Sequence, residues 1–251
     1  MRALRHRSGQ AEGELPLGAH VVAWGGALLF VASLSFFLFV YAVTFGETGP
    51  ADVPPGLALA VNVALFTIFA LHHSVFARER VRAAVTRAVP AGLERSFYVW
   101  VASILFIAVC ALWQPIAGTA WNVTGPFRWA LFAAQATGLW LALRSAAMID
   151  ILELAGVRQL SASVREVRKA RVQFKTSGPY GWMRHPIYTG WLLIVFAAPA
   201  MTMTRLVFAV VSSVYLLIAI PFEERSLAAS SEGAYERYAR EVRWKLIPGV
   251  Y

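Results

Sequence analysis

Four apolar runs, at about Ala19 to Phe45, Gly56 to Phe76, Ser96 to Trp113 and Trp129 to Leu152, constrain this chain more than any other feature. Each is near or above the roughly 20 residues that a helix needs to cross the hydrocarbon core of a bilayer. In that solvent, backbone N–H and C=O groups must find partners inside the segment, which selects helices for runs of this length. A further apolar stretch, Ile187 to Phe222, is too long for one crossing. Ala198-Pro199-Ala200-Met201-Thr202 interrupts it with a helix breaker, so it reads as two short spans in a tight hairpin.

The charges test this count. The net charge of +9 raises the question of nucleic acid, but 20 of the 23 Lys and Arg residues fall in four blocks: before the first run, between the second and third, between the fourth and fifth, and after the last. The loops around Gly46 to Pro55 and Ile116 to Phe127 hold none. An even number of spans with both termini in the cytoplasm satisfies the positive-inside rule, whereas five would leave one basic block outside. The basic residues therefore face lipid headgroups and not nucleic acid. With 58% apolar and 15% charged residues, the expected fold is an all-α polytopic integral membrane bundle of about six helices.

One domain, residues 1–251, is expected. Four N-terminal spans fill 1–152, and a site region with the hairpin and tail fills 153–251. The N-terminal run is too long for a signal-peptide core and lacks a small-residue cleavage site. Cys110 lies inside the third span and reads as core packing, with no intrachain disulfide or thiolate metal cluster open to it. No further ligand is suitably spaced for metal at His72 and His73. Arg144 with Asp150 reads as a structural pair, and Asn62 and Gln135 as hydrogen-bonding bridges between helices. Tyr235, Tyr238 and Val242 share one side of a helix, so the tail is expected to form an amphipathic interfacial helix.

The densest polar signal is the segment from Gly178 to Gly190. Pro186 suits the first turn of a helix and pushes His185 out of it, to the cytoplasmic mouth of the fifth span. The helix N-terminus there, with Arg184 beside it, suits a carboxylate such as that of a methionine moiety. Gly178-Pro179 turns the chain so that Tyr180 and Trp182 aim at the same place. The hairpin brings Glu223 and Glu224 back to this end, so a cationic sulfonium would meet aromatic faces and carboxylates. Taken singly, each residue also fits a cap, an interfacial anchor or a solvated helix end.

The pattern Gly178-Pro179-Tyr180, Arg184-His185-Pro186, Tyr188, Gly190, Glu223-Glu224-x-x-Leu227 and Gly233-x-Tyr235-x-x-Tyr238 resembles the isoprenylcysteine carboxyl methyltransferase superfamily of integral membrane enzymes. The resemblance implies S-adenosylmethionine as methyl donor, bound with the help of Tyr180, His185, Pro186, Ile187 and Tyr188, and Glu223 on the acceptor side. Arg184 joins the expected donor site, and His185, Glu223 and Glu224 are the expected catalytic residues. His72-His73-Ser74-Val75-Phe76-Ala77-Arg78, Glu94-Arg95-Ser96-Phe97-Tyr98, Trp113-Gln114-Pro115 and Gly156-Val157-Arg158-Gln159 are similar to the bacterial methanethiol S-methyltransferase and NnrU-like branch.

A small apolar thiol is thus the expected acceptor, in a bacterial inner membrane with the site on the cytoplasmic face. Carboxyl, amine and lipid acceptors stand as alternatives, as does a non-catalytic NnrU-like membrane protein of nitrogen-oxide metabolism. Ala219 stands where isoprenylcysteine enzymes carry an arginine, and Ile151 about where the methanethiol enzymes carry a histidine. A thiol acceptor must lose its proton. His185 is one candidate base; His72, His73 and Glu224 are others.

Overall fold

The computed structural model describes residues 17–49, 52–76, 87, 89, 92–158, 174 and 176–251. The basic residues Arg2, Arg5, Arg7, Arg78, Arg80 and Arg82, together with Gln159, lie outside them, as does most of the segment between the fourth and fifth runs. Helices α1 (Leu17–Ala42), α2 (Pro55–Phe76), α3 (Glu94–Leu112) and α4 (Phe127–Ile149) follow the four apolar runs. The short turns α5 (Ile151–Leu154) and α6 (Pro179–Trp182) precede α7 (Pro186–Phe196), α8 (Met203–Ser230) and α9 (Ala234–Glu241).

Among the described residues, four helices are long and apolar enough to cross a membrane: Leu17–Gly46, Pro55–Ser74, Glu94–Leu112 and Met203–Ser230. The 23 residues of α4 would reach across, but it carries Arg128, Gln135 and Arg144 and is not one of the four. The two apolar helices expected between Ile187 and Phe222 are unequal: α7 has 11 residues and α8 has 28. At about 1.5 Å per residue, α7 covers half of a hydrocarbon core. Pro221 does not end α8 but lies inside it, so Glu223 and Glu224 stand on the helix and not in the tail after it.

Outward faces are apolar, with Leu17, Leu28, Phe39, Leu143 and Phe222 all more than half exposed. Such surfaces suit acyl chains, and between helices in lipid it is packing that holds the bundle together. The centre is aromatic: Phe37 stacks on Trp191 at 4.7 Å and on Phe208 at 5.4 Å, bringing α1, α7 and α8 together. Cys110 is buried in the same cluster.

A close backbone contact joins α4 to α7. A Cβ on Gly138 would sit 2.6 Å from the Gly190 carbonyl oxygen, and one on Gly190 would sit 2.6 Å from that of Gly138. Gln135 crosses the same seam by donating to the Ile194 carbonyl at 2.9 Å. Asn62 makes the other expected bridge, giving and taking hydrogen bonds with the Gln114 backbone at 2.9 and 2.7 Å.

The expected pair Arg144–Asp150 is not formed. Asp150 pairs with Arg158 and caps α5 by accepting from Leu152 N at 3.0 Å, because a short polar side chain at a helix start meets unsatisfied N–H groups first.

The end away from α2's C-terminus is closed by a feature the apolar pattern does not announce. Strands β1 (Thr119–Asn122) and β2 (Ala200–Thr202) form a short antiparallel ribbon. Buried Arg205 donates to the carbonyls of Tyr41 at 2.9 Å and Ala42 at 2.7 Å, where α1 runs out of internal partners. It also reaches the Ala200 carbonyl, tying α1 to the ribbon.

Candidate functional site

Segments from both halves of the chain meet at the opposite end. Gly156, at φ 78°, lies against Ser96, whose hydroxyl donates to the Gly156 carbonyl at 3.3 Å. Arg95 donates to the Leu154 carbonyl at 3.1 Å. These contacts explain why two separate sequence motifs, around residues 94–98 and 156–158, are built as they are: each completes the other.

Gly178, at φ 57°, starts α6 and sits beside the Met148 sulfur, a position strained for any side chain. The turn carries Tyr180, whose carbonyl accepts from the Tyr238 hydroxyl at 2.9 Å. Burial, then Tyr238 and Glu223, push the Tyr180 phenol up, and burial chiefly pushes Tyr238 up to about 12. Both are neutral donors at ordinary pH. Tyr235 and Tyr238 are buried on one face of α9 against Phe174 and Leu227, the side predicted from their spacing.

Pro186 occupies the first position of α7 and His185 precedes it, as the dipeptide dictates. His185 is buried at 6% exposure. Its Nε2 donates to Glu224 Oε1 at 3.1 Å, its Nδ1 is 3.9 Å from Glu223 Oε2, and its ring stacks on Tyr188 at 5.3 Å. The Tyr188 hydroxyl donates to Glu223 Oε2 at 2.6 Å. The start of α7 and the late turns of α8 are therefore directly joined.

The two glutamates have different surroundings. Glu224 also accepts from Arg184 Nε at 2.8 Å and lies 3.5 Å from Lys245 Nζ. Arg184 turns inward, with Nη1 donating to the Val242 and Arg243 carbonyls at 3.0 and 2.9 Å. Glu223 is 43% exposed, and the Tyr188 hydroxyl directs one of its oxygens. One carboxylate is built into the frame; the other is offered outward. Ile187 is half-buried beside them.

Sequence reasoning missed the tail's part. Arg184 N and His185 N donate to the carbonyls of Trp244 and Lys245, both at 2.9 Å, and Thr189 donates to that of Leu246 at 2.8 Å. Such contacts run through backbone carbonyls, which carry no residue signature. A cavity of about 420 Å³ opens at the same end, lined by residues including Met148, Asp150, Glu153 and Arg158. The described residues contain no group of three or more His, Cys, Asp or Glu side chains able to hold a metal ion.

A bundle with spanning helices and a polar centre built on a helix start defines a class of membrane-embedded enzyme, and the comparisons with known proteins agree. The isoprenylcysteine carboxyl methyltransferase (ICMT) family matches residues 142–229, from the end of α4 to the end of α8. A methanethiol S-methyltransferase of Crocosphaera subtropica is 39% identical over 77% of this chain and 76% of its own length. One from Mycobacterium tuberculosis is 36% identical over 84% and 91%. Nurim of Xenopus laevis is a more distant relative, 28% identical over 78% and 75%. No solved structure matches. The chain belongs to the family of the methanethiol S-methyltransferases, within the wider isoprenylcysteine carboxyl methyltransferase grouping, and is an integral membrane methyltransferase.

Proposed function

We propose that this protein transfers the methyl group of S-adenosylmethionine to a small apolar thiol. The observation that carries the reading is the constellation at the start of α7: His185 between two glutamates, stacked on a tyrosine whose hydroxyl is bound to the exposed one. These residues fit a sulfonium donor. The Glu223 carboxylate and the ring faces of Tyr188 and His185 favour a cation, and Tyr180 borders them from α6. S-adenosylmethionine supplies an activated methyl group, so the protein's task is in-line alignment and exclusion of water.

Pro186 and Ile187 shape the wall on which the donor lies. Arg184 and Glu224 act from behind it, locking the tail against His185, and Arg184 holds the site together without meeting the donor's carboxylate directly. His185 and Glu223 face the reacting groups. The relatives named methanethiol S-methyltransferase support a thiol as acceptor. A membrane-soluble acceptor would enter between helices from the bilayer, the water-soluble donor from the cytoplasm.

This reading includes six crossings, with α4 and the pair α7 and α8 added to the first three helices, in one domain. Both termini and the site lie on the cytoplasmic side of a bacterial inner membrane. The test is calorimetric titration of the detergent-purified protein with S-adenosylmethionine and S-adenosylhomocysteine, followed by turnover of methanethiol. Saturable binding that His185→Ala abolishes, with methyl transfer by the wild type, is expected. A folded wild type that binds neither compound would overturn the donor assignment.

A further inference from the structure

The site on α7 and α8 leaves one polar group of the same membrane end unexplained. The Tyr98 hydroxyl, on α3, is hydrogen-bonded to His73 Nδ1, on the last turn of α2. The His72 ring stacks on Tyr98 at 5.5 Å, and the Arg95 guanidinium lies 5.0 Å above its face. Two imidazoles, a phenol and a guanidinium thus form a cluster contributed wholly by the N-terminal half.

Packing brings this cluster to the level of Glu223. On α2, Phe66 stacks on Tyr215 of α8 at 5.5 Å, and both helices run toward the site end. His73 is two turns beyond Phe66 and Glu223 two turns beyond Tyr215, a rise of about 10–12 Å on each. On the other side, Phe106 of α3 lies 6.3 Å from Trp191 of α7, both helices running away from that end. The dyad therefore stands across from the Tyr188–Glu223 pair. His73 is an exposed residue, so an acceptor arriving through acyl chains can approach the pair.

We propose that the acceptor thiol binds between these two pairs and that Tyr98 and His73 form the proton relay that ionises it. This deepens the thiol reading and rests on it. Tyr98 Oη takes the thiol proton while passing its own to His73 Nδ1, leaving a thiolate and a His73 imidazolium. In the transfer that follows, the new sulfur–carbon bond forms as the methyl–sulfonium bond of the donor breaks, and the thiolate's negative charge cancels the sulfonium's positive charge. His73 then releases its proton to water. Arg95 and His72 pack against the phenol and hold it in place, and Glu223, directed by Tyr188, serves the cation and stays out of the relay.

The arrangement separates the two needs of the reaction. The Glu223 carboxylate keeps its charge for the sulfonium, and a neutral imidazole reached through a phenol receives the proton without placing a second negative charge beside it.

The experiment compares Tyr98→Phe and His73→Gln with the wild type, using an alkyl thiol and the corresponding selenol, which is already anionic at neutral pH. Both variants should lose ~100-fold or more in kcat/KM for the thiol, the scale of general-base catalysis, and only a few-fold for the selenol, with thiol turnover recovering as pH rises. A second readout needs no turnover. An aryl thiol bound together with S-adenosylhomocysteine should show thiolate absorbance in the wild type at a lower pH than in either variant. Unchanged binding of S-adenosylhomocysteine confirms that the variants are folded. Equal losses with thiol and selenol, or no loss with thiol, would overturn the relay while leaving the thiol reading intact. A wild type that methylates neither acceptor overturns both.

Discussion

Adjacent glutamates on one helix turn take different jobs because their partners differ. Glu224 accepts from Arg184 and His185 and lies near Lys245, while Glu223 is bound by Tyr188 and reaches outward. Removing one member of a buried charge pair strands the other, at a cost of about 3–5 kcal/mol. Glu224→Gln should therefore lower the denaturation midpoint in detergent and free the tail beyond Val242 to protease. Glu223→Gln should leave that midpoint nearly unchanged and abolish most methyl transfer. Melting curves and a radiolabel transfer assay on both variants check the contrast. The sequence named both residues and could not separate them, since the donors that distinguish them come from residues 39 and 40 positions earlier and 21 positions later.

At the scale of elements, α4 and α7 owe their alignment to two glycines. Because each Cβ would fall 2.6 Å from the facing carbonyl oxygen, the helices approach more closely than any side chain permits. Gly138→Ala should push them apart and destabilise the fold by about 1–3 kcal/mol, the usual cost of overpacking. Since α7 begins directly after His185, the same change should weaken donor binding without touching the site. Gly56→Ala is the control, as a Cβ there meets nothing within 4 Å. Thermal denaturation and calorimetry read both effects. The Pro186 helix start and the amphipathic face of α9 were legible because each is a local rule of backbone or periodicity. The length of α8 was not, because the apolar run ends at Phe222 while the helix carries on through Pro221 to Ser230; a helix stabilised along its length tolerates one missing hydrogen bond.

For the whole molecule, the proposed even number of crossings predicts which loops share a side. The ribbon end and the Glu223 end are opposite ends of the bundle, so single cysteines introduced at Asn122 and at Ser230 should label from opposite faces of the membrane. Cys110 is buried and should remain silent in the parent protein. A membrane-impermeant maleimide applied to intact cells should modify Asn122→Cys and reach Ser230→Cys only after permeabilisation. Labelling of both from outside would overturn the topology.

By itself the sequence determined the membrane as solvent and the long apolar helices, and it marked the residues that meet at the start of α7, because apolar run length, charge asymmetry and the Arg184-His185-Pro186 motif act through local and one-dimensional physics. Only the tertiary structure decided that Arg184 is turned inward, that Asp150 pairs with Arg158, that β1 and β2 close one end, and that Tyr98 meets His73. Each of these depends on which backbone carbonyl or side chain stands opposite in space, a property of how helices pack and not of the order in which they are written.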